Sequence, residues 1–214
     1  MQSIPSEKYI AQIFQSRYGI NLLKIDEQGW KEGATPDFEF MDQGKRVFIC
    51  ELKDFRNIKP SEKDGWKITN HPNGSVEASR ISNATNRISY AIEEAHRQLK
   101  NWSEPKVLIF LNYSPYLSVE DLEEVYRGYR VLGVENNVTY LDVYTRRASE
   151  GQIKMKKGEI DLYIWIDTIN GKELVVSSDG IQKEDKFYFR PTSEAGRNIV
   201  QQHFSRKDPP KDEQ

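Results

Sequence analysis

The chain has 214 residues, of which 31 are lysine or arginine and 33 are aspartate or glutamate. A formal net charge of -2 excludes a nucleic-acid binder that works through its overall charge, so any basic surface must be a local patch. Cys50 is the one cysteine, which excludes an intrachain disulfide. The longest apolar run, Val107 to Leu111, is too short to cross a bilayer, and the first residues lack a signal-peptide pattern. We therefore expect a cytoplasmic protein with no membrane partner.

Hydrophobic periodicity predicts one helix and then three strands at the start of the chain. The helix covers Pro5 to Tyr18, where apolar residues recur at helical spacing, and Gly19 is a stop signal. A turn region is expected from Gly29 to Thr35, and a tight hairpin connection from Asp42 to Lys45. The three strands are predicted at Asn21 to Asp26, Asp37 to Met41 and Lys45 to Lys53. This order predicts a three-strand meander.

A polar insertion from Asp54 to Ser79 separates the meander from a long helix, Arg80 to Trp102, which has an apolar stripe. The remaining predicted elements are a buried strand at Lys106 to Leu111, a helix from Ser118 to Leu132 ended by Gly133, strands at Val138 to Tyr144, Ile160 to Asp167, Glu173 to Ser177 and Lys186 to Arg190, and a closing helix from Thr192 to Phe204. This order predicts an α/β fold with a mixed sheet flanked by helices. We expect a single domain at residues 1–204, with a core at about 5–111, an extension at about 112–204 and a flexible tail at 205–214.

Charged residues interrupt the third predicted strand near its end. Val47, Ile49, Glu51 and Lys53 share one face of that strand, because alternate side chains point to opposite sides. Buried charges are costly unless they are paired or bound to metal, so Glu51 and Lys53 indicate chemistry. Asp37 opens the neighbouring strand, and an antiparallel hairpin would set it across roughly 5 Å from Glu51. Two carboxylates at that spacing suit a hard divalent cation such as Mg²⁺.

Pro36-Asp37 with Glu51-Leu52-Lys53 resembles the PD-(D/E)xK phosphodiesterase superfamily, which includes many restriction endonucleases and resolvases. The predicted order of elements over residues 5–111 is similar to that superfamily's αβββαβ core. The resemblance implies a restriction-endonuclease-like fold and an endo- or exonuclease that requires Mg²⁺ or Mn²⁺ and acts on nucleic acid, with DNA favoured. It implies that Asp37, Glu51 and the Leu52 carbonyl bind the metal and that Lys53 positions the attacking water.

Two helical residues extend the resemblance. Many members of the superfamily add an acidic residue from the first helix, and Glu7 occupies a suitable place. Gln98 resembles the helix glutamine of RecB-like nucleases, although Trp102 stands where tyrosine is commoner in that group. Simpler interpretations stay open, because Glu7 also suits the first turn of any helix and Gln98 also suits a core edge. Asp37 could simply belong to a turn before a strand, and Glu51 and Lys53 could form a surface pair on an exposed strand face.

Nucleic-acid contacts and other functions remain open. The candidate contacts are Trp66 as a stacking residue and Arg80, Arg87 and Lys100 as phosphate partners, although they could equally be a loop anchor and solvated charges. The main alternative function is a catalytically silent adaptor with the same fold. A weaker alternative is an inhibitor or immunity-type protein with an accidental motif. A homodimer or a protein partner bound through the extension is also compatible with the sequence.

Overall fold

The computed structural model describes residues 5–25, 35–56, 66–70, 72, 76–80, 86–135, 138–143, 156–168, 173–177 and 180–205. The helices are α1 (Ser6–Tyr18), α2 (Asn86–Leu99), α3 (Val119–Arg127) and α4 (Glu194–His203), with a 3₁₀ turn at Lys157–Glu159. The strands are β1 (Leu22–Lys24), β2 (Phe38–Asp42), β3 (Lys45–Phe55), β4 (Trp66–Asn70), β5 (Val76–Arg80), β6 (Lys106–Asn112), β7 (Tyr129–Glu135), β8 (Val138–Val143), β9 (Leu162–Asp167), β10 (Glu173–Ser177), β11 (Gly180–Glu184) and β12 (Lys186–Pro191).

A six-stranded mixed sheet forms the centre of the protein, in the spatial order β1-β2-β3-β6-β9-β12. The central strands β3, β6 and β9 are parallel, and the outer pairs are antiparallel. The α/β class and the mixed sheet are therefore confirmed, as is the meander β1-β2-β3. β9 and β12 come from the predicted C-terminal extension, yet they belong to the same sheet as the predicted core.

Apolar side chains cover the sheet on both faces, as the near-continuous apolar runs of its parallel strands predict. One face packs Ile49, Leu108 and Trp165 against α2 and α3. The opposite face packs Phe48 and Cys50 against α1 and α4. The Cys50 thiol is fully buried, and burial raises its pKa well above the ordinary value.

The β2–β3 hairpin has the tight connection that the sequence predicts. Gln43 and Gly44 both have positive φ, at 47° and 77°, which is the backbone twist that favours two-residue hairpins. Phe40 pairs with Phe48 and Phe38 pairs with Cys50, so all four side chains share one face. Continuing that register by one position sets Asp37 opposite Glu51 on the other face, which is the face that packs against α2.

The predicted helix from Ser118 to Leu132 is too long. α3 ends at Arg127, where Gly128 adopts a left-handed conformation with φ of 81° and donates its N–H to the Glu124 carbonyl. The chain then forms β7, which pairs with β8. The C-terminal signal of the helix was therefore Gly128 rather than Gly133, and the apolar residues after it belong to a strand.

The predicted start of the long helix was wrong. Arg80 does not start a helix, because it ends β5, which pairs with β4 inside the supposed polar insertion. Within the described residues α2 begins at Asn86. β11, which pairs with β10, had no predicted counterpart. The predicted turn at 29–35 lies outside the described residues except for Thr35, and the predicted tail does so beyond Ser205.

α4 approaches the sheet closely at one glycine. A Cβ atom added to Gly196 would lie 1.9 Å from the backbone oxygen of Asp161. That oxygen also accepts a hydrogen bond from the Thr192 N–H at 2.9 Å, and the Asp161 carboxylate accepts from the Ser193 hydroxyl at 2.5 Å. The start of α4 is therefore fixed against the chain just before β9.

In the part of the chain that the structure describes, no helix is long and apolar enough to cross a membrane.

Candidate active site

β3 extends beyond Cys50, the partner of Phe38 at the start of β2, so the next residues of β3 are not paired with β2. The Asp37 side chain lies at this edge of β3. The Leu52 N–H donates to Asp37 Oδ2 at 2.7 Å. The β2–β3 register would set Pro36 opposite Leu52, and proline has no N–H to offer to a neighbouring strand. Since the N–H and C=O of a strand residue point to the same edge, we expect the Leu52 carbonyl on the Asp37 side.

Lys53 connects the motif to helix α2. Its Nζ lies 2.9 Å from Glu51 Oε1, 3.1 Å from Gln98 Oε1 and 3.3 Å from Glu94 Oε2. The Lys53 side chain is 14% exposed and that of Glu51 is 3% exposed. The structure thus brings together Asp37, Glu51, Lys53 and Gln98, the four residues that the sequence predicted as catalytic.

Glu94 is the residue that sequence analysis missed. It lies one helical turn before Gln98 on α2, so the two side chains share a helix face. That spacing was visible in the sequence once Gln98 was placed at the site. Glu94 is half-exposed, and it provides Lys53 with a second carboxylate partner.

The two motif carboxylates are held in an unfavourable environment for negative charge. Burial raises the pKa of Glu51 to about 7, and the charge of Asp37 raises it further, while Lys53 and Gln98 oppose the rise. Burial also raises the pKa of Asp37, against the hydrogen bond from Leu52 and the charge of Lys53. Within the described residues, the buried Oε2 atom of Glu51 has no hydrogen-bond partner. A buried carboxylate oxygen that accepts no hydrogen bond within the described residues can serve as a ligand for a cation.

The residues present fit a hard divalent cation. Asp37 and Glu51 offer carboxylate oxygens, and the Leu52 carbonyl is expected on the same edge. Mg²⁺ typically takes one or two carboxylates and keeps several waters. Among the described residues no group of three or more histidine, cysteine, aspartate or glutamate side chains is arranged to hold a metal ion.

Glu7 lies near this site but is engaged elsewhere. Its carboxylate forms an ion pair with Lys24 at 2.7 Å, and both side chains are largely exposed. Its charge still contributes to raising the pKa of Asp37, so the two carboxylates interact. Its predicted role as a further metal ligand stays a prediction.

The predicted nucleic-acid contacts are dispersed. Arg87 lines a cleft of about 310 Å³ between the end of β3 and α2. Lys100 is exposed just past the other end of α2. Trp66 and Arg80 are register partners in the β4–β5 pair, and their side chains lie outside what the structure describes. Of the four, Arg87 is the one that the structure places beside the motif residues.

Comparison of this chain with family models, curated proteins and solved structures gives no match.

Proposed function

We propose that this protein is a metal-dependent nuclease of the PD-(D/E)xK type, with a restriction-endonuclease-like fold, that hydrolyses phosphodiester bonds in DNA. The observation that carries the proposal is the buried carboxylate of Glu51, which lies between Asp37 and Lys53 and keeps one oxygen without a hydrogen-bond partner within the described residues. A purely structural strand would gain nothing from this arrangement, because an ionised and incompletely paired carboxylate destabilises the folded state.

Each residue of the site has a role in the proposed hydrolysis. Asp37, Glu51 and the Leu52 carbonyl would hold Mg²⁺, which when bound would polarise the phosphate and lower the pKa of water. Lys53 would donate hydrogen bonds to the attacking water and balance the negative charge that develops on the phosphoryl group. Gln98 and Glu94 fix the position of the Lys53 ammonium through the contacts described above.

Cleavage of plasmid and single-stranded DNA with Mg²⁺ or Mn²⁺ tests the proposal. We expect metal-dependent cutting that is abolished by chelator and falls by about 100-fold or more in Asp37→Ala and Lys53→Ala, the loss typical of one electrostatic catalytic group. Lys45→Ala at the other end of β3 is the matched control, since it removes an exposed lysine from the same strand. A Lys53→Ala protein that cuts as fast as wild type would refute the assignment.

A silent adaptor is the second candidate, and one observation favours it. Asp37 Oδ2 already accepts a hydrogen bond from the Leu52 N–H, so one oxygen of this carboxylate is engaged within the fold itself. Calorimetric titration with Mg²⁺ and Mn²⁺ separates the two functions. Binding that is lost in Asp37→Ala supports the enzyme, whereas absence of binding supports the adaptor. An inhibitor with an accidental motif would be expected to expose Glu51 and Lys53 to bulk solvent, whereas both side chains are largely buried.

A further inference from the structure

The face of α2 that reaches Lys53 continues into a cleft beyond the end of β3. Gln98, Glu94, Tyr90 and Arg87 follow one another at spacings of three or four residues, so they line one side of the helix. At about 1.5 Å per residue, Tyr90 lies roughly 12 Å from Gln98 along the helix axis. The cleft therefore leads directly away from the motif carboxylates.

The cleft combines cationic groups with an accessible aromatic ring. Lys53 and Arg56 line it from the β3 side, and Arg87 and Tyr90 line it from α2. Asp54 and Glu94 also line the cleft, so three cationic side chains face two carboxylates there. Tyr90 is 52% exposed, more than any other large apolar or aromatic side chain among the described residues. An aromatic ring beside cations is the combination that binds unpaired bases and their phosphates.

The orientation of Arg56 is fixed by its neighbours. Its guanidinium lies over the Tyr113 ring at 4.4 Å from the centroid and donates to Ser6 Oγ at 2.6 Å and to Tyr113 Oη at 3.1 Å. It also pairs with Asp54 at 2.8 Å. A guanidinium held in this way loses little side-chain entropy when it meets a phosphate.

We propose that this cleft binds an unpaired nucleotide of a single-stranded nucleic acid, with the base against Tyr90 and the backbone phosphates near Arg56 and Arg87. The volume of about 310 Å³ lies at the lower end of small-ligand pockets, so it suits one nucleotide rather than a duplex. A base paired inside a duplex could not reach the Tyr90 ring. The inference rests on the proposed function, because a nucleotide bound in this cleft would lie next to the proposed phosphodiesterase site.

Fluorescence anisotropy with EDTA tests the proposal without cleavage. The probes are fluorescently labelled single strands of oligo-dT and oligo-U, each ten nucleotides long, and a DNA duplex of the same length. We expect the single strands to bind more tightly than the duplex and Tyr90→Ala to weaken single-strand binding by at least about fivefold, the effect of one stacked base. Tyr90→Phe should stay within about twofold of wild type, and Tyr116→Ala, at another exposed tyrosine, should do the same.

Arg87→Ala should lower the salt dependence of oligonucleotide binding by about one phosphate contact, whereas Lys45→Ala should leave it unchanged. Equal losses in Tyr90→Ala and Tyr116→Ala, or tighter binding of duplex in all variants, would overturn the cleft assignment. Preference for oligo-dT or for oligo-U identifies DNA or RNA as the source of the strand. If the binding results hold while wild type cuts nothing, the catalytic proposal fails and the cleft assignment stands. If wild type cuts nucleic acid and Tyr90→Ala changes neither cutting nor binding, the cleft assignment fails and the catalytic proposal stands.

Discussion

Replacing Glu51 by glutamine should stabilise the protein at alkaline pH while removing one ligand of the proposed metal site. The buried carboxyl of Glu51 has a pKa of about 7, against an ordinary value of 4.5. Between those values the folded state binds more protons than the unfolded state, so the free energy of unfolding falls as pH rises from about 4.5 to 7. Glutamine has the same shape and no charge to lose, which removes this penalty.

The size of the effect follows from the difference in pKa. At about 1.4 kcal/mol for each pH unit, a rise from 4.5 to about 7 corresponds to about 3 kcal/mol, and it is fully expressed above pH 8. For a protein of this length, that corresponds to a change in Tm on the order of 10 °C. Little difference is expected at pH 4.5, where the carboxyl is protonated in the folded state and half protonated in the unfolded state. The raised pKa of Asp37 acts in the same direction, so it adds to the pH dependence of the wild type.

Urea unfolding of wild type and Glu51→Gln at several pH values between 4.5 and 8.5, with EDTA present, measures this difference. Glu93→Gln, on α2 but one residue from the cleft-facing Glu94, is the matched control and should parallel the wild type. Saturating Mg²⁺ should recover stability in wild type at pH 8 and have no effect on Glu51→Gln. A Glu51→Gln protein that is equally destabilised at pH 4.5 and pH 8.5 would refute the electrostatic argument, because that result would indicate a packing role alone.

Three further experiments test the packing and the cleft. Gly196→Ala should lower Tm by several degrees, because its new Cβ would collide with backbone, while Gly158→Ala, which meets no atom within 4 Å, should change Tm little. Cys50 should resist thiol reagents in the native state at pH 8 and react completely in urea, and rapid native labelling would contradict its burial and raised pKa. Glu94→Gln removes a negative charge from the cleft and should tighten oligonucleotide binding severalfold relative to Glu93→Gln, with little effect on unfolding because the side chain is half-exposed. Unchanged or weaker binding of Glu94→Gln would place the strand elsewhere.

The candidate site could be predicted because its determinants are local. Alternation along one strand put Glu51 and Lys53 on the same face, and one short hairpin set Asp37 beside them. Gln98 was reachable because helical periodicity placed it at the border of an apolar stripe. Glu94 was missed because a charged residue on a half-exposed helix face looks like any solvated charge until its partner, Lys53, is located in space.

The parts of the fold that failed or were missed depend on distant pairing. β9 contributes the strand next to β6 although about fifty residues separate them, and no local pattern indicated that the extension completes the same sheet. The helix–strand boundary at Gly128 was ambiguous because apolar residues continue on both sides of it, and β7 is defined by its pairing with β8. The hairpin of β4 and β5 was hidden in the same way within a polar segment.

The balance of charge at the site connects its stability to its proposed chemistry. Asp37, Glu51 and Glu94 surround a single ammonium, that of Lys53, so the ionised cluster carries a formal charge of -2. A divalent cation would neutralise that charge and relieve the cost that raises the pKa of Glu51. A phosphate would be repelled by the same cluster until the cation is bound, and Arg56 and Arg87 in the adjoining cleft offset that repulsion at a short distance. Metal binding should therefore have to precede productive binding of a nucleic acid at the carboxylates, while the cleft can hold the strand without metal.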